Sequence, residues 1–133
     1  MIMDVENLDV YNRSMKLLKP IYRLAGLLPR DEFRLKDQLT GAAKSVPALI
    51  TEGFAKRRST KEFKRFLNMA LGSSDEVITH LRQIKLIEFP NIKAVTCDAL
   101  VDHYRVVSKQ VNRLIKTWKN FNSDSSYKSD LSD

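Results

Sequence analysis

Apolar residues recur along this chain at steps of three and four, the spacing that gathers them on one side of an α-helix, and they do so in four successive segments. The first segment runs from Asn7, read as its N-cap, to Leu28, with Leu8, Tyr11, Met15, Leu18, Tyr22 and Ala25 as its apolar face. Pro20 lies inside this segment and withholds a backbone hydrogen bond, which predicts a kink. Pro29-Arg30-Asp31 makes the turn into a second segment, which Asp31 is placed to cap. Leu35, Leu39, Ala42, Val46, Ile50 and Gly53 form its apolar face. Ala42, Ala43, Ser45 and Ala48 are small enough to let a neighbouring helix come close, and Pro47 predicts a second bend.

The third segment has the sharpest start. Ser59-Thr60-Lys61-Glu62 fits a capping box, in which the Ser hydroxyl accepts from the N3 amide and Glu62 reaches back. Phe63, Phe66 or Leu67, Ala70, Ser73 or Ser74, Val77, Leu81 and Ile84 follow, up to Phe89-Pro90. Ser73 to Glu76 repeats the start signal just after Gly72, but the apolar phase crosses Gly72 unshifted, so one helix is expected. After Pro90-Asn91 the fourth segment places Leu100, Tyr104, Val107, Val111, Leu114, Trp118 and Phe121 in strict alternation of four- and three-residue steps.

Four helices joined by short loops predict an all-α protein, an antiparallel up-down-up-down four-helix bundle over residues 1–121. Residues 122–133 are too polar to order themselves and are expected to form a disordered tail. Leu17, Leu24, Leu71, Ile78 and Ile92 fall off the main seams and are expected to be available for contacts between subunits.

Composition agrees with a single folded domain, since 133 residues hold 43% apolar and 29% charged side chains with only four Gly and four Pro. The balance of charge changes the picture more. Lys and Arg number 23 against 16 Asp and Glu, for a net charge of +7 and an isoelectric point near 9.6. The polar tail carries three Asp and one Lys, so the helical body holds the larger surplus, +9. Such a surplus points to an anionic partner. The single Cys97, a start without the basic and apolar regions of a signal peptide, and the lack of an apolar run of about 18 residues lead us to expect a cytoplasmic protein without a membrane span.

Catalytic chemistry finds little to work with. The histidines are His80 and His103, neither in a recognisable motif, and Cys97 stands six residues from His103, on a different side of any shared helix. Asp98, Asp102 and His103 make a weak cluster better read as a solvated stretch of helix. No Glu-x-x-His pair and no glycine-rich phosphate loop occurs. We therefore expect no enzyme, no metal and no cofactor.

Clustered cations remain. Lys56, Arg57, Arg58, Lys61, Lys64 and Arg65 surround one acid, Glu62, across a helix end, a turn and the next helix start. Free amides at that start would add to the pull on phosphate. Arg105, Lys109, Arg113 and Lys116 recur at helical spacing and are expected to line a face beside the fourth apolar seam. These ten residues are the candidate contacts to the phosphates of RNA or DNA, the alternative being that they only keep a bundle soluble. Phe63 and Phe66 belong to the core pattern, so base stacking is not expected and backbone contact with little sequence preference is.

The stretch Ser45-Val46-Pro47-Ala48-Leu49-Ile50-Thr51-Glu52-Gly53, followed by Ser59, Glu62-Phe63, Phe66-Leu67, Ala70 and Gly72-Ser73 to Glu76, resembles a bacterial four-helix-bundle family, the proteins encoded in intervening sequences of 23S ribosomal RNA genes. Leu28-Pro29, Glu32-Phe33 and Gln38-Leu39 are similar to its pattern upstream, and the fourth helix matches by periodicity. The resemblance implies an up-down-up-down bundle that assembles into a ring-like homopentamer, with no catalytic residues. It also implies kinship with the accessory variability proteins of diversity-generating retroelements, basic pentamers that bind nucleic acid and the element's reverse transcriptase. Leu49 and Thr51 stand where the family usually has Asn and Ala. Two expectations result: a basic, oligomeric binder of RNA or RNA/DNA phosphates, or a scaffold that docks a reverse transcriptase or other nucleoprotein partner.

Overall fold

The computed structural model describes residues 4–119, and every regular element among them is helical. Phe121 and the expected tail fall outside the described residues. The first predicted helix is split into α1 (Asp9–Lys16) and α2 (Leu18–Ala25) at Leu17. Pro20 explains the split: it has no N–H to offer the Lys16 carbonyl, and its ring crowds that turn. Backbone bonds on either side survive, from Leu17 to Arg13 at 3.1 Å and from Ile21 to Leu17 at 3.1 Å. The second helix, α3 (Phe33–Ala55), runs unbroken through Pro47. Around that proline the Ser45 hydroxyl donates to the Gly41 carbonyl at 2.8 Å and the Thr51 hydroxyl to the Pro47 carbonyl at 2.9 Å. The third and fourth are α4 (Thr60–Ile87), continuous across Gly72, and α5 (Ala94–Thr117).

The caps differ from expectation at three places. Asn7 sits in a 3-10 turn, Val5–Asn7, capped by Asp4, and its side chain accepts from the Asp4 amide rather than opening α1. Asp31 lies within a second 3-10 turn, Arg30–Glu32, so α3 begins without a side-chain cap. At α4 the Ser59 hydroxyl accepts from the Glu62 amide at 3.1 Å as predicted, but Glu62 does not reach back, because Arg65 holds its carboxylate. The end of α4 is also unusual. Glu88 adopts the left-handed conformation, φ 63° and ψ 56°, a place that favours Gly.

Helix α4 packs on both α3 and α5, the α1–α2 arm packs on α3, and α1 also touches α5. The seams read for α3, α4 and α5 face the core, where Leu39, Val46, Ile50, Phe63, Leu67, Val77, Leu81 and Tyr104 are fully buried. Burying each of the Val, Leu, Ile and Phe side chains stabilises the fold by roughly 1.5–3 kcal/mol. The first arm keeps only part of its predicted face, with Leu8 and Ala25 buried and Tyr11 and Leu18 partly buried against the core. Val10, Ser14, Leu17, Ile21, Leu24 and Leu28 are buried, whereas Met15 and Tyr22 are 44% and 46% exposed. Ser14 is the reason the pattern misleads: a polar residue occupies a core position, its hydroxyl satisfied by the Tyr11 carbonyl at 2.9 Å. Leu17, Leu24 and Ile78, expected to be free for subunit contacts, are thus buried in the chain's own core, and Leu71 and Ile92 are half-buried against it.

Gly53 sets how closely α3 and α4 approach beside their connecting turn. A Cβ there would lie 2.6 Å from the Phe66 Cβ and 3.1 Å from Phe63 Cδ1. Polar groups join α4 to α5: Ser74 meets Ser108 at 2.8 Å, and the Ser108 hydroxyl donates to Asp75 at 2.9 Å.

Candidate nucleic-acid interface

The turn between α3 and α4 rests on packed rings. Phe54 from the end of α3 and Phe63 from the start of α4 meet edge to face, and Trp118, just past α5, packs edge-on against Phe63 with centroids 4.7 Å apart. Trp118 also reaches Phe54, at 6.5 Å. These contacts draw the end of α5 under the turn.

On this base the six clustered cations take different roles. The Arg57 guanidinium lies 4.0 Å from the Phe54 ring centre and donates to the Phe54 carbonyl at 3.1 Å, which leaves it half-buried and pinned. Lys56 and Arg65 both lie over the Phe66 ring, at 5.5 Å and 4.6 Å. Arg65 is also forked onto Glu62 through bonds of 3.1 Å and 3.2 Å. Those bonds, ahead of the fields of Lys56 and Lys61, hold the Glu62 carboxyl below its ordinary range. Arg65 is therefore neutralised, a correction to the expectation of a nearly unpaired cluster. Lys56 and Lys61 are exposed and Lys64 half-exposed, and none of the three makes an ion pair among the described residues. Arg58 is exposed.

Arg105, Lys109, Arg113 and Lys116 are all exposed on α5. They do not flank the apolar seam. At about 100° per residue they centre nearly opposite it, on the outer face of the helix. Because Trp118 ties the end of α5 to the aromatic base, Arg113 and Lys116 come to the same end of the molecule as the 56–65 cluster. Arg105 lies about 16 Å from Lys116 along the helix axis and is engaged by Asp102 at 3.3 Å. It borders an open depression of about 650 Å³ that also takes in Arg82, Lys85, Glu88 and Asp98. Lys85 and Asp98 are paired there at 2.9 Å.

The sequence reading missed the α1–α2 arm. Between Asp9 and Asp31 the chain carries Arg13, Lys16, Lys19, Arg23 and Arg30 and no acid. All are exposed except half-buried Arg13, and none makes an ion pair among the described residues. The signal was present as a charge run. The arm's periodicity places Met15 and Tyr22 in the core, whereas both are exposed, Tyr22 between Lys19 and Arg23 in the sequence.

The other chemical candidates lie apart. Cys97 is buried, and burial raises its thiol pKa, while His103 is exposed on α5 facing α1. His80 is nearly buried between Glu76 and Gln83, at 3.2 Å and 3.1 Å. Among the described residues no group of three or more His, Cys, Asp and Glu is placed to hold a metal ion, and no helix is long and apolar enough to cross a membrane.

Residues 6–113 match the sequence profile of the family described as 23S rRNA-intervening sequence protein. Among solved structures, a protein of unknown function from the S23 ribosomal protein family of Bacteroides thetaiotaomicron VPI-5482 has a similar fold, with a TM-score of 0.73 at 24% sequence identity. The match covers 81% of this chain and 99% of that one. At this identity the likeness speaks for the fold alone. No curated protein is matched.

Proposed function

The chain belongs to the 23S rRNA-intervening sequence protein family, and from that premise we propose that it is a non-catalytic RNA-binding protein that holds phosphates at the α3–α4 end of its bundle. One observation carries this reading: Lys56, Lys61 and Lys64 gather beside a helix start without ion pairs among the described residues, with Arg113 and Lys116 brought to the same end by Trp118. Amides of the first turn of α4 add donors for an anion. The contact is to backbone phosphate, because the rings beneath these cations are buried in the core and unavailable to bases.

The same proposal takes the helices as an antiparallel up-down-up-down bundle. Its support is the pairing of Lys85 near the end of α4 with Asp98 near the start of α5, while Asp75, earlier in α4, meets Ser108, later in α5. It takes the assembly as the homopentamer that the family resemblance implies. Leu86, Ile87 and Val95, exposed by 83%, 56% and 68%, supply apolar surface outside the chain's own core. That apolar surface also favours a second reading, a scaffold docking a protein partner such as a reverse transcriptase.

A titration of RNA against salt tests the first reading. Log affinity should fall steeply and linearly with log salt, and Lys61→Glu with Lys64→Glu should flatten the line by about one unit per lost phosphate contact. Affinity indifferent to salt and to both substitutions would defeat it. Mass from light scattering tests assembly, with a monomer as the defeating result.

A further inference from the structure

Two stretches of this chain are long, basic and free of acids: residues 10–30, with Arg13, Lys16, Lys19, Arg23 and Arg30, and residues 103–123, with Arg105, Lys109, Arg113, Lys116 and Lys119. They lie far apart in sequence, yet α1 and α5 are the elements that bring them together. Where they meet, the side chains leave a groove of about 420 Å³ lined by Asp9, Asn12, Arg13 and Lys16 of α1, by Leu17 just past it and by His103 of α5, with Asp9 as its one lining carboxylate.

Setting two cationic stretches side by side raises the self-repulsion of the fold. A carboxylate across the contact would relieve it. The structure has Gln110 there instead, whose side-chain oxygen accepts from Arg13 Nε at 3.2 Å. A neutral partner fixes the orientation of the guanidinium and leaves its charge in place. It also leaves the two terminal nitrogens of Arg13 without a partner among the described residues, the fork that matches phosphate geometry. Asp9 stands one helical turn before Arg13 and pairs with neither Arg13 nor Lys16.

We infer that the groove between α1 and α5 is a second phosphate-binding site, which holds the sugar-phosphate backbone of RNA through Arg13, oriented by Gln110, and Lys16. Lys19 and Arg23, both exposed, carry the strand onward along the α1–α2 arm. From Arg13 to Arg23 the arm spans about 15 Å, enough for more than one phosphate. Tyr22, exposed beside Lys19 and Arg23, offers a ring on which an unpaired base can stack. This site rests on the reading of the protein as an RNA binder but uses a different surface from the α3–α4 end.

The test uses the full chain and a short mixed-sequence RNA duplex with a single-stranded overhang, followed by fluorescence anisotropy across a salt series. Gln110→Glu neutralises Arg13 without removing any cation, and Lys16→Ala removes one. Each should lower the salt slope by about one and weaken binding several-fold at low salt. Gln110→Glu should leave the thermal midpoint equal or higher, a combination that loss of structure does not produce. Arg13→Lys keeps the charge and loses the fork, so affinity should fall while the slope holds. If the parent and the Lys61→Glu variant behave as proposed above, but Gln110→Glu and Lys16→Ala bind with the parent slope, the groove assignment alone is overturned. A parent protein whose RNA affinity ignores salt overturns both.

Discussion

The two ends of α4 solve the same problem, joining one helix to the next, in opposite ways. At its start, rings from α3, α4 and the end of α5 are buried together, and beside them Lys56, Lys61 and Lys64 make no ion pair among the described residues, although Arg65 is held by Glu62. At its other end, cations are matched by acids, Lys85 with Asp98 and Arg105 with Asp102, and apolar side chains are left outside, Leu86, Ile87 and Val95. One end therefore offers charge to an anion, and the other offers apolar surface. The backbone follows the same division. Beside the first turn Gly53, lacking a Cβ, lets α3 and α4 approach closely, and the second turn is entered through Glu88 in a conformation that disfavours a side chain.

The sharpest way to break this contrast is Phe63→Ala, which empties the ring cluster and should lower stability by about 3–5 kcal/mol in denaturant unfolding. The same truncation at Phe89, near the far end and less completely enclosed, should have a smaller effect; equal losses would erase the difference between the ends. Gly53→Ala should cost about 1–3 kcal/mol, because the added Cβ meets the fixed Cβ of Phe66 rather than a flexible side-chain tip. A neutral result would mean that α3 and α4 separate easily there. Lys85→Ala removes a pair whose partners are both about half exposed, so a change of only about 0–1 kcal/mol is expected, and high salt should hide it. The smallest effect is a gain. Glu88→Gly relieves a left-handed residue and should raise the unfolding midpoint slightly, by no more than about 1 kcal/mol in stability; a fall would show that the Glu88 side chain contributes more than its backbone strain takes away.

Much of the candidate site was visible as residue types and spacing. Glu62 with Arg65 and Asp102 with Arg105 are three apart on helices, a spacing at which opposite charges meet, so their pairing is legible in the sequence. The arm's charge run is equally plain in the sequence, but whether it faces solvent depends on Met15 and Tyr22 lying outside the core. Trp118 tying α5 to the α3–α4 turn has no local signal, because its ring partners Phe54 and Phe63 lie far away in sequence, whereas Arg57 folds onto Phe54 only three residues before it.

By itself the sequence determined four helical segments, the buried faces of α3, α4 and α5, the Ser59 cap and the surplus of positive charge. These follow from periodicity and local backbone bonding, which act within a few turns. Tertiary structure decided which face of the α1–α2 arm is buried, which cations are paired with a neighbouring carboxylate, and that two acid-free stretches lie side by side along a groove. The reason is range: hydrogen bonding along a helix is a matter of residues three and four apart, whereas burial and electrostatic neutralisation depend on whatever the fold places within a few ångströms.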